Sequence, residues 1–184
     1  MTPIHSVRPV RLTGSRCELR ELGDADVASL YALMTDPRVF DRVLDEQPPS
    51  PDELRDAVSA WRAEADGDPR PVYRLAAAEG DRLLGLGTLT VESPQHRRGE
   101  IGYVVHADHW GRGLGSEIAG LLLRLAFEQV GLHRVEATTR PDHVASVRVL
   151  EKAGLRREGI SRDHLLVRGS WWDSVRYAIL ATDR

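Results

Sequence analysis

A mixed α/β sandwich is the fold class that this 184-residue sequence predicts, and three observations predict it. Alternating segments joined by tight turns fill residues 72–106, which argues for hairpins. A glycine-rich turn, Trp110-Gly111-Arg112-Gly113-Leu114-Gly115-Ser116, lies between a strand and a long amphipathic helix. One more strand, a helix and a final hairpin then close the chain. A regular strand–helix alternation with an all-parallel sheet would lack the hairpin-linked strands that precede the turn.

The elements follow in order. Residues 12–22 alternate as a first strand. Asp24 can cap a helix whose apolar positions Val27, Leu30, Tyr31 and Met34 keep helical spacing. Pro37 opens a short second helix running to Val43, and residues 47–51 form a loop. Ser50-Pro51-Asp52-Glu53 has a capping serine, proline at the first helical position and a glutamate that completes a capping box. The helix it starts carries Leu54, Ala57, Val58 and Trp61 on one face and ends near Gly67. Residues 72–79 and 83–92 flank Gly80-Asp81 as a hairpin, and 99–106 supply the next strand. Helical periodicity runs from Gly113 to about Val130, a strand covers 133–139, and a helix at 143–153 ends on Gly154. Two strands, 156–167 and 171–180, meet at Arg168-Gly169-Ser170.

Composition narrows the function. With 41% hydrophobic and 29% charged residues, one domain spanning 1–184 is expected. A net charge of −3 and a pI near 6.2 exclude the clustered basic excess of a nucleic-acid surface. Cys17 is the single cysteine and sits in an alternating strand-like segment, so a reducing, cytoplasmic setting is expected. No apolar run reaches the ~20 residues of a membrane span, and Met1-Thr2-Pro3-Ile4-His5 lacks a signal peptide's apolar region.

The glycine-rich turn is an anion cradle. The first amides of a helix have no partner within it, the helix dipole places positive charge there, and glycines allow a phosphate to approach the backbone. A diphosphate-bearing ligand is therefore expected at residues 111–116. A dinucleotide-binding reading has Gly111, Gly113 and Gly115 after a strand and Glu136 about twenty residues on, but its Gly-x-Gly-x-x-Gly spacing is missing. A P-loop fails for want of Gly-Lys-Ser/Thr.

Four motifs in order resemble the GNAT acetyltransferase superfamily, most closely its ribosomal-protein alanine/serine N-terminal acetyltransferase (RimJ/RimL) type. They are Leu19-Arg20 with the acidic Asp24-Ala25-Asp26; Glu100-Ile101-Gly102-Tyr103 with Trp110 to Glu117; His143-Val144-Ala145-Ser146 with Glu151-Lys152-Ala153-Gly154-Leu155; and the last hairpin from Gly169 to Leu180. The resemblance implies a mostly antiparallel sheet with helices on both faces and a splayed central strand pair. It also implies acetyl-CoA as co-substrate without a metal, and direct attack of a primary amine on the thioester. The pantetheine arm then lies against Val104 and Val105, one of whose amides or a neighbour's stabilises the oxyanion. Trp110, Gly111, Arg112, Gly113, Leu114, Gly115 and Ser116 hold the pyrophosphate. The acceptor is a protein N-terminus or a small molecule, and a homodimer through the last strands is possible.

Two departures matter. His143 replaces the family's asparagine, leaving a contact to the CoA arm or a helix cap as its role. Leu150 replaces a tyrosine that protonates the leaving thiolate, so Ser146 becomes the donor, its other reading being a hydroxyl bonded to its own helix. Candidate bases are Glu100, His106, Glu136, His164 and Asp173, with Glu100 directed to the acceptor cleft by strand alternation. Asp52, Glu53, Asp56, Glu64, Asp66 and Asp68, with Glu46 before them, would draw a cationic acceptor or merely solvate a helix face. Arg38, Arg42 and Arg98 would bind a larger, carboxylated acyl group such as succinyl. Trp171 and Trp172 must point to opposite faces of a strand, one packed and one exposed. A degenerate acyl-CoA sensor of the same fold is the non-enzymatic alternative.

Overall fold

The computed structural model describes residues 4–42 and 47–184. Val43, Glu46 and Met1 to Pro3, named above, lie outside them. Eight strands form one sheet in the order β1-β2-β3-β4-β5-β6-β8-β7, with only β5 and β6 parallel. The strands are β1 Arg11–Thr13, β2 Glu18–Glu21, β3 Val72–Glu79, β4 Arg82–Ser93, β5 Arg98–Val105, β6 Arg134–Thr139, β7 Arg156–Val167 and β8 Ser170–Leu180.

The expected first strand is instead the hairpin β1–β2. Its turn is held by a distant carboxylate: Glu117 accepts from the amides of Arg16 at 2.6 Å and Cys17 at 3.3 Å and from the Ser15 hydroxyl at 3.1 Å. A side chain at Gly14 would collide with Glu117, so glycine lets the turn close. A second correction concerns the first helix, α1 (Val27–Thr35), which follows a short 3₁₀ turn at Asp24–Asp26. Asp26, not Asp24, accepts the Gly23 amide at 2.8 Å, and Arg20 grips it at 2.7 and 2.8 Å. Asp24 reaches Arg62 at 2.8 Å instead.

Helix α2 spans Pro37–Phe40, and α3 spans Pro51–Ala65. The α3 capping box is present: the Glu53 amide donates to Ser50 Oγ at 3.3 Å, and the Ser50 amide donates to Glu53 Oε2 at 2.7 Å. Helix α4, Leu114–Arg124, widens into a π turn over Leu125–Val130, and α5 spans Val144–Lys152 before Gly154 at φ 90°.

Apolar alternation sorts the strands' side chains to two faces. Ile118 and Leu122 of α4, Leu125 of the π turn after it and Leu150 of α5 pack with Leu19, Tyr73, Leu75 and Ile101 on one. Leu30 and Leu33 of α1 and Leu54 and Val58 of α3 pack with Ala76 and Leu83 on the other. Gly87 in β4 admits α4 closely, because a Cβ there would stand 3.1 Å from Ile118 Cγ2. Burying such side chains stabilises the fold by roughly 1.5–3 kcal/mol each.

Strands β5 and β6 pair only over Arg98↔Arg134, Gly99↔Val135 and Glu100↔Glu136. Beyond Glu100 they part, while β5 stays on β4 as far as Val105 and β6 stays on β8 as far as Thr139. The gap opens towards α4 and α5.

Candidate functional site

The ladder register determines which backbone groups face the gap. The His106 amide donates to Leu84 O at 2.9 Å, and bonded and non-bonded pairs alternate along an antiparallel ladder. Val104 therefore exchanges its bonds with Leu86, while Tyr103 and Val105 turn their N–H and C=O groups away from β4, into the gap. On β6, the Ala181 amide donates to His133 O at 2.8 Å, and the same alternation turns Thr138 to the gap. Of the amides expected to face a ligand, that of Val104 is bonded to β4, which leaves those of Tyr103 and Val105. Val105 O already accepts the Trp110 indole N–H at 2.8 Å, which pins the turn to the end of β5.

The glycine turn is built as its sequence suggests. Gly111 and Gly113 have φ of 76° and 78°, the left-handed region that side chains avoid. Gly115 is small for another reason: a Cβ there would lie 3.4 Å from Val149 and 3.6 Å from Tyr103, where α4, α5 and β5 converge. Among the described residues, the first amide of this segment to find a backbone acceptor is Glu117's, on Gly113 O at 3.1 Å. The amides before it are free to bind an anion. A cavity of about 370 Å³ runs along them, lined by Trp110, Gly111, Gly113, Leu114, Gly115, Ser116, Val104, Val105, His143 and Ser146 among others. Arg112 is not in this lining; Arg148 of α5 is, and Arg16 Nε stands 4.0 Å from where a Gly113 Cβ would be.

A second cavity of about 400 Å³ occupies the gap on the α1 side and shares Tyr103, Val104, His143, Ser146 and Arg42 with the first. Where they meet, Ser146 Oγ lies 3.1 Å from the Tyr103 phenol oxygen. The phenol also donates to Ser146 O at 3.4 Å. Burial pushes the Tyr103 pKa up, against the opposing pull of Ser146, so the phenol keeps its proton. The Ser146 hydroxyl is therefore one of a pair and not bonded to its own helix. Strand alternation puts Tyr103 on the face opposite Glu100, and α5 docking on that face makes it the partner of Ser146, a contact that no local sequence signal announces.

Glu100 stands just behind the gap, accepting from the Thr138 hydroxyl at 3.0 Å. Burial raises its pKa, Thr138 opposes this, and the charges of Glu92 and Glu136 add to the rise. It is absent from the lining of both cavities, whereas Thr138 belongs to one. His143 precedes the first residue of α5 without a side-chain capping bond, and its imidazole makes no hydrogen bond among the described residues. Burial, then the charge of Arg42, lower its pKa and keep the ring neutral. The side-chain cap is not made, and the residue lines both cavities.

The other candidate bases line neither cavity. Glu136 pairs with Arg98 at 3.0 Å and Arg134 at 2.6 Å, His164 Nδ1 meets Ser174 Oγ at 3.0 Å, and Asp173 accepts the Asp163 amide at 2.9 Å. His106 Nδ1 is buried without a hydrogen-bond partner and lines neither cavity. The described acidic residues of α3 and its C-terminal loop line neither cavity; Leu54 and Val58 face inward, which turns the acids to solvent. Trp172 lines the second cavity with Arg140 over its ring at 4.1 Å, and Trp171 is 61% exposed.

The acetyltransferase (GNAT) domain model matches residues 16–156. A probable N-acetyltransferase of Bacillus subtilis, YjcK, is 35% identical over 134 residues, 70% of this chain and 72% of its own length. The ribosomal protein uS5 alanine N-acetyltransferase of Escherichia coli is 26% identical over 187 residues, 97% of this chain and 94% of its own. Among solved structures, Mycobacterium smegmatis RimJ in complex with CoA-disulfide superposes with a TM-score of 0.85 at 25% identity, covering 96% of this chain and 90% of that one.

Proposed function

The chain belongs to the GNAT acetyltransferase family, most like its RimJ type, and from that premise we propose that a single domain carries acetyl from acetyl-CoA to a primary amine by direct attack across the β5–β6 gap. The observation that carries this is the continuity of the free amides at residues 111–116 with the gap between β5 and β6. The pyrophosphate is held by the amides of Gly111 to Ser116, supported by Arg16 and Arg148. The pantetheine amides take the place of the missing strand pairing, against Tyr103, Val105 and Thr138.

The amine enters from the second cavity and its nitrogen bonds to the thioester carbon. The N–H of Tyr103 or Val105, already aimed into the gap, stabilises the oxyanion. As the carbon–sulfur bond breaks, the thiolate takes the Ser146 proton, and the proton shed by the newly bonded nitrogen restores the Ser146 hydroxyl through water, while the Tyr103 phenol hydrogen-bonded to that hydroxyl holds it in place. The amine reaches the site deprotonated through water connected to Glu100, whose raised pKa suits proton acceptance, or to the neutral His143 ring. Catalysis by positioning alone supplies much of the rest.

Thiol release from acetyl-CoA in the presence of a primary amine tests the reading, with calorimetry on acetyl-CoA beside it. Binding with amine-dependent thiol release is expected. Binding without release from any amine would favour the sensor role, and no binding by folded protein would remove the reading altogether.

A further inference from the structure

We propose that the amine acceptor itself bears a carboxylate, which Arg42 and Arg140 receive at the acceptor side of the gap. The inference rests on the acyl-transfer reading above and names the class of its acceptor. Arg42 and Arg140 line the acceptor-side cavity, and no carboxylate is among its described lining residues. Arg140 is absent from the cavity along the glycine turn, so its charge serves the acceptor side rather than the CoA side.

Both guanidiniums are presented by aromatic stacking. Arg42 lies over Trp110 at 5.0 Å and Arg140 over Trp172 at 4.1 Å. A stacked guanidinium keeps its edge N–H groups free for bidentate carboxylate contacts. Among the described residues Arg42 has no carboxylate partner. Arg140 commits Nε and Nη2 to Asp142 and leaves Nη1 without an acceptor among them. Both line an outer cavity together with His143, a residue that the two inner cavities share.

This outer cavity, of about 340 Å³, shares Arg42, Arg140 and His143 and adds Arg38, Asp41 and Asp142; Asp142 holds one edge of Arg140, and Arg38 is held by Asp36 and Asp108. A polyamine would bring a second cation against two arginines. A simple amine would leave Arg42 unanswered. A carboxylate near the reacting nitrogen matches both, whether it ends a free amino acid or sits on the second or third residue of an acidic peptide.

Matched acceptors test this with the full chain and acetyl-CoA. The pairs are amino acids against their amides, short peptides with Asp or Glu after the N-terminal residue against Asn or Gln versions, and spermidine alone. The acid member should exceed its neutral partner at least tenfold in kcat/KM, and Arg140→Gln or Arg42→Gln should bring that ratio towards one. The pair that responds says which source supplies the carboxylate. Equal use of acids and amides, preference for spermidine, or no acceptor used by a protein that binds acetyl-CoA would each overturn the proposal while leaving acetyl-CoA recognition intact. Succinyl-CoA preferred over acetyl-CoA with neutral amines, dependent on Arg42, would overturn it by moving the carboxylate to the acyl group. A folded protein that binds no CoA thioester would overturn the underlying reading as well.

Discussion

Glu117→Gln is the most informative single change outside the cleft. Glu117 lies in the first turn of α4, its side chain 11% exposed. It receives four donors: two backbone amides, the Ser15 hydroxyl at 3.1 Å and the Arg16 guanidinium at 3.1 Å. Burial alone would raise its pKa, but these bonds outweigh it and the pKa falls below the ordinary glutamate value. A glutamine keeps one oxygen and loses the charge. Hydrogen bonds to a charged group are worth roughly 1 kcal/mol more than neutral ones, and with two amides the dominant donors the loss is about 2 kcal/mol. With a urea dependence near ~2 kcal/mol/M, the unfolding midpoint should fall by about 1 M at pH 7. The sign with pH follows from the lowered pKa. The carboxylate's contribution is complete above the unfolded value of about 4.3 and fades as pH falls through the folded one. The deficit should therefore hold from pH 7 to about pH 4.3 and be clearly smaller at about pH 3 than at pH 7. An unchanged midpoint at pH 7, or an equal deficit at pH 7 and about pH 3, would refute the reasoning.

Ser146→Ala should lower kcat by roughly 10² while moving the acetyl-CoA KM little, as expected when a proton donor is lost; Tyr103→Phe should lower kcat in the same sense, and the double variant should lose less than the two combined. Steady-state kinetics decide, and an unaltered rate in Ser146→Ala would remove the pair from the chemistry. Gly113→Ala must hold a left-handed conformation at a cost of roughly 1–2 kcal/mol and brings a methyl to the cradle, so calorimetry should show acetyl-CoA affinity falling at least several-fold. His143, with its pKa lowered on folding, costs stability as pH drops below about 6.5; His143→Asn should gain stability relative to the parent from pH 7 to pH 5.5 in urea titrations, and parallel curves would contradict the lowered pKa.

The parts of the fold that sequence reveals are those with local causes. The Ser50–Glu53 capping box, the Gly80-Asp81 hairpin, the left-handed glycines and the Gly154 helix end each need only a few neighbouring residues. The parts it conceals depend on partners far along the chain. Residues 12–22 alternate like one strand, and only a carboxylate about a hundred positions away makes them a hairpin. Asp24 and Asp26 are equivalent as cap signals until Arg20 selects Asp26. The acids of α3 read equally as a wall for a cationic acceptor or as a solvated helix face, and only the packing of Leu54 and Val58 selects the second. Both β5 and β6 keep their alternation to the end, so nothing local announces where they part. Tyr103 and Ser146 meet across 43 positions, and Arg42 and Arg140 gain their meaning only from the gap between them.

Residue-resolved amide exchange, with and without acetyl-CoA, tests the gap most directly. In the free protein the N–H groups of Tyr103, Val105 and Thr138 have no strand partner, whereas that of Val104 is bonded to β4. Acetyl-CoA should slow exchange at those three amides and at Gly111 to Ser116, with Val104 already protected and little changed. Saturating ligand that left Tyr103, Val105 and Thr138 exchanging as before would contradict a pantetheine arm between β5 and β6.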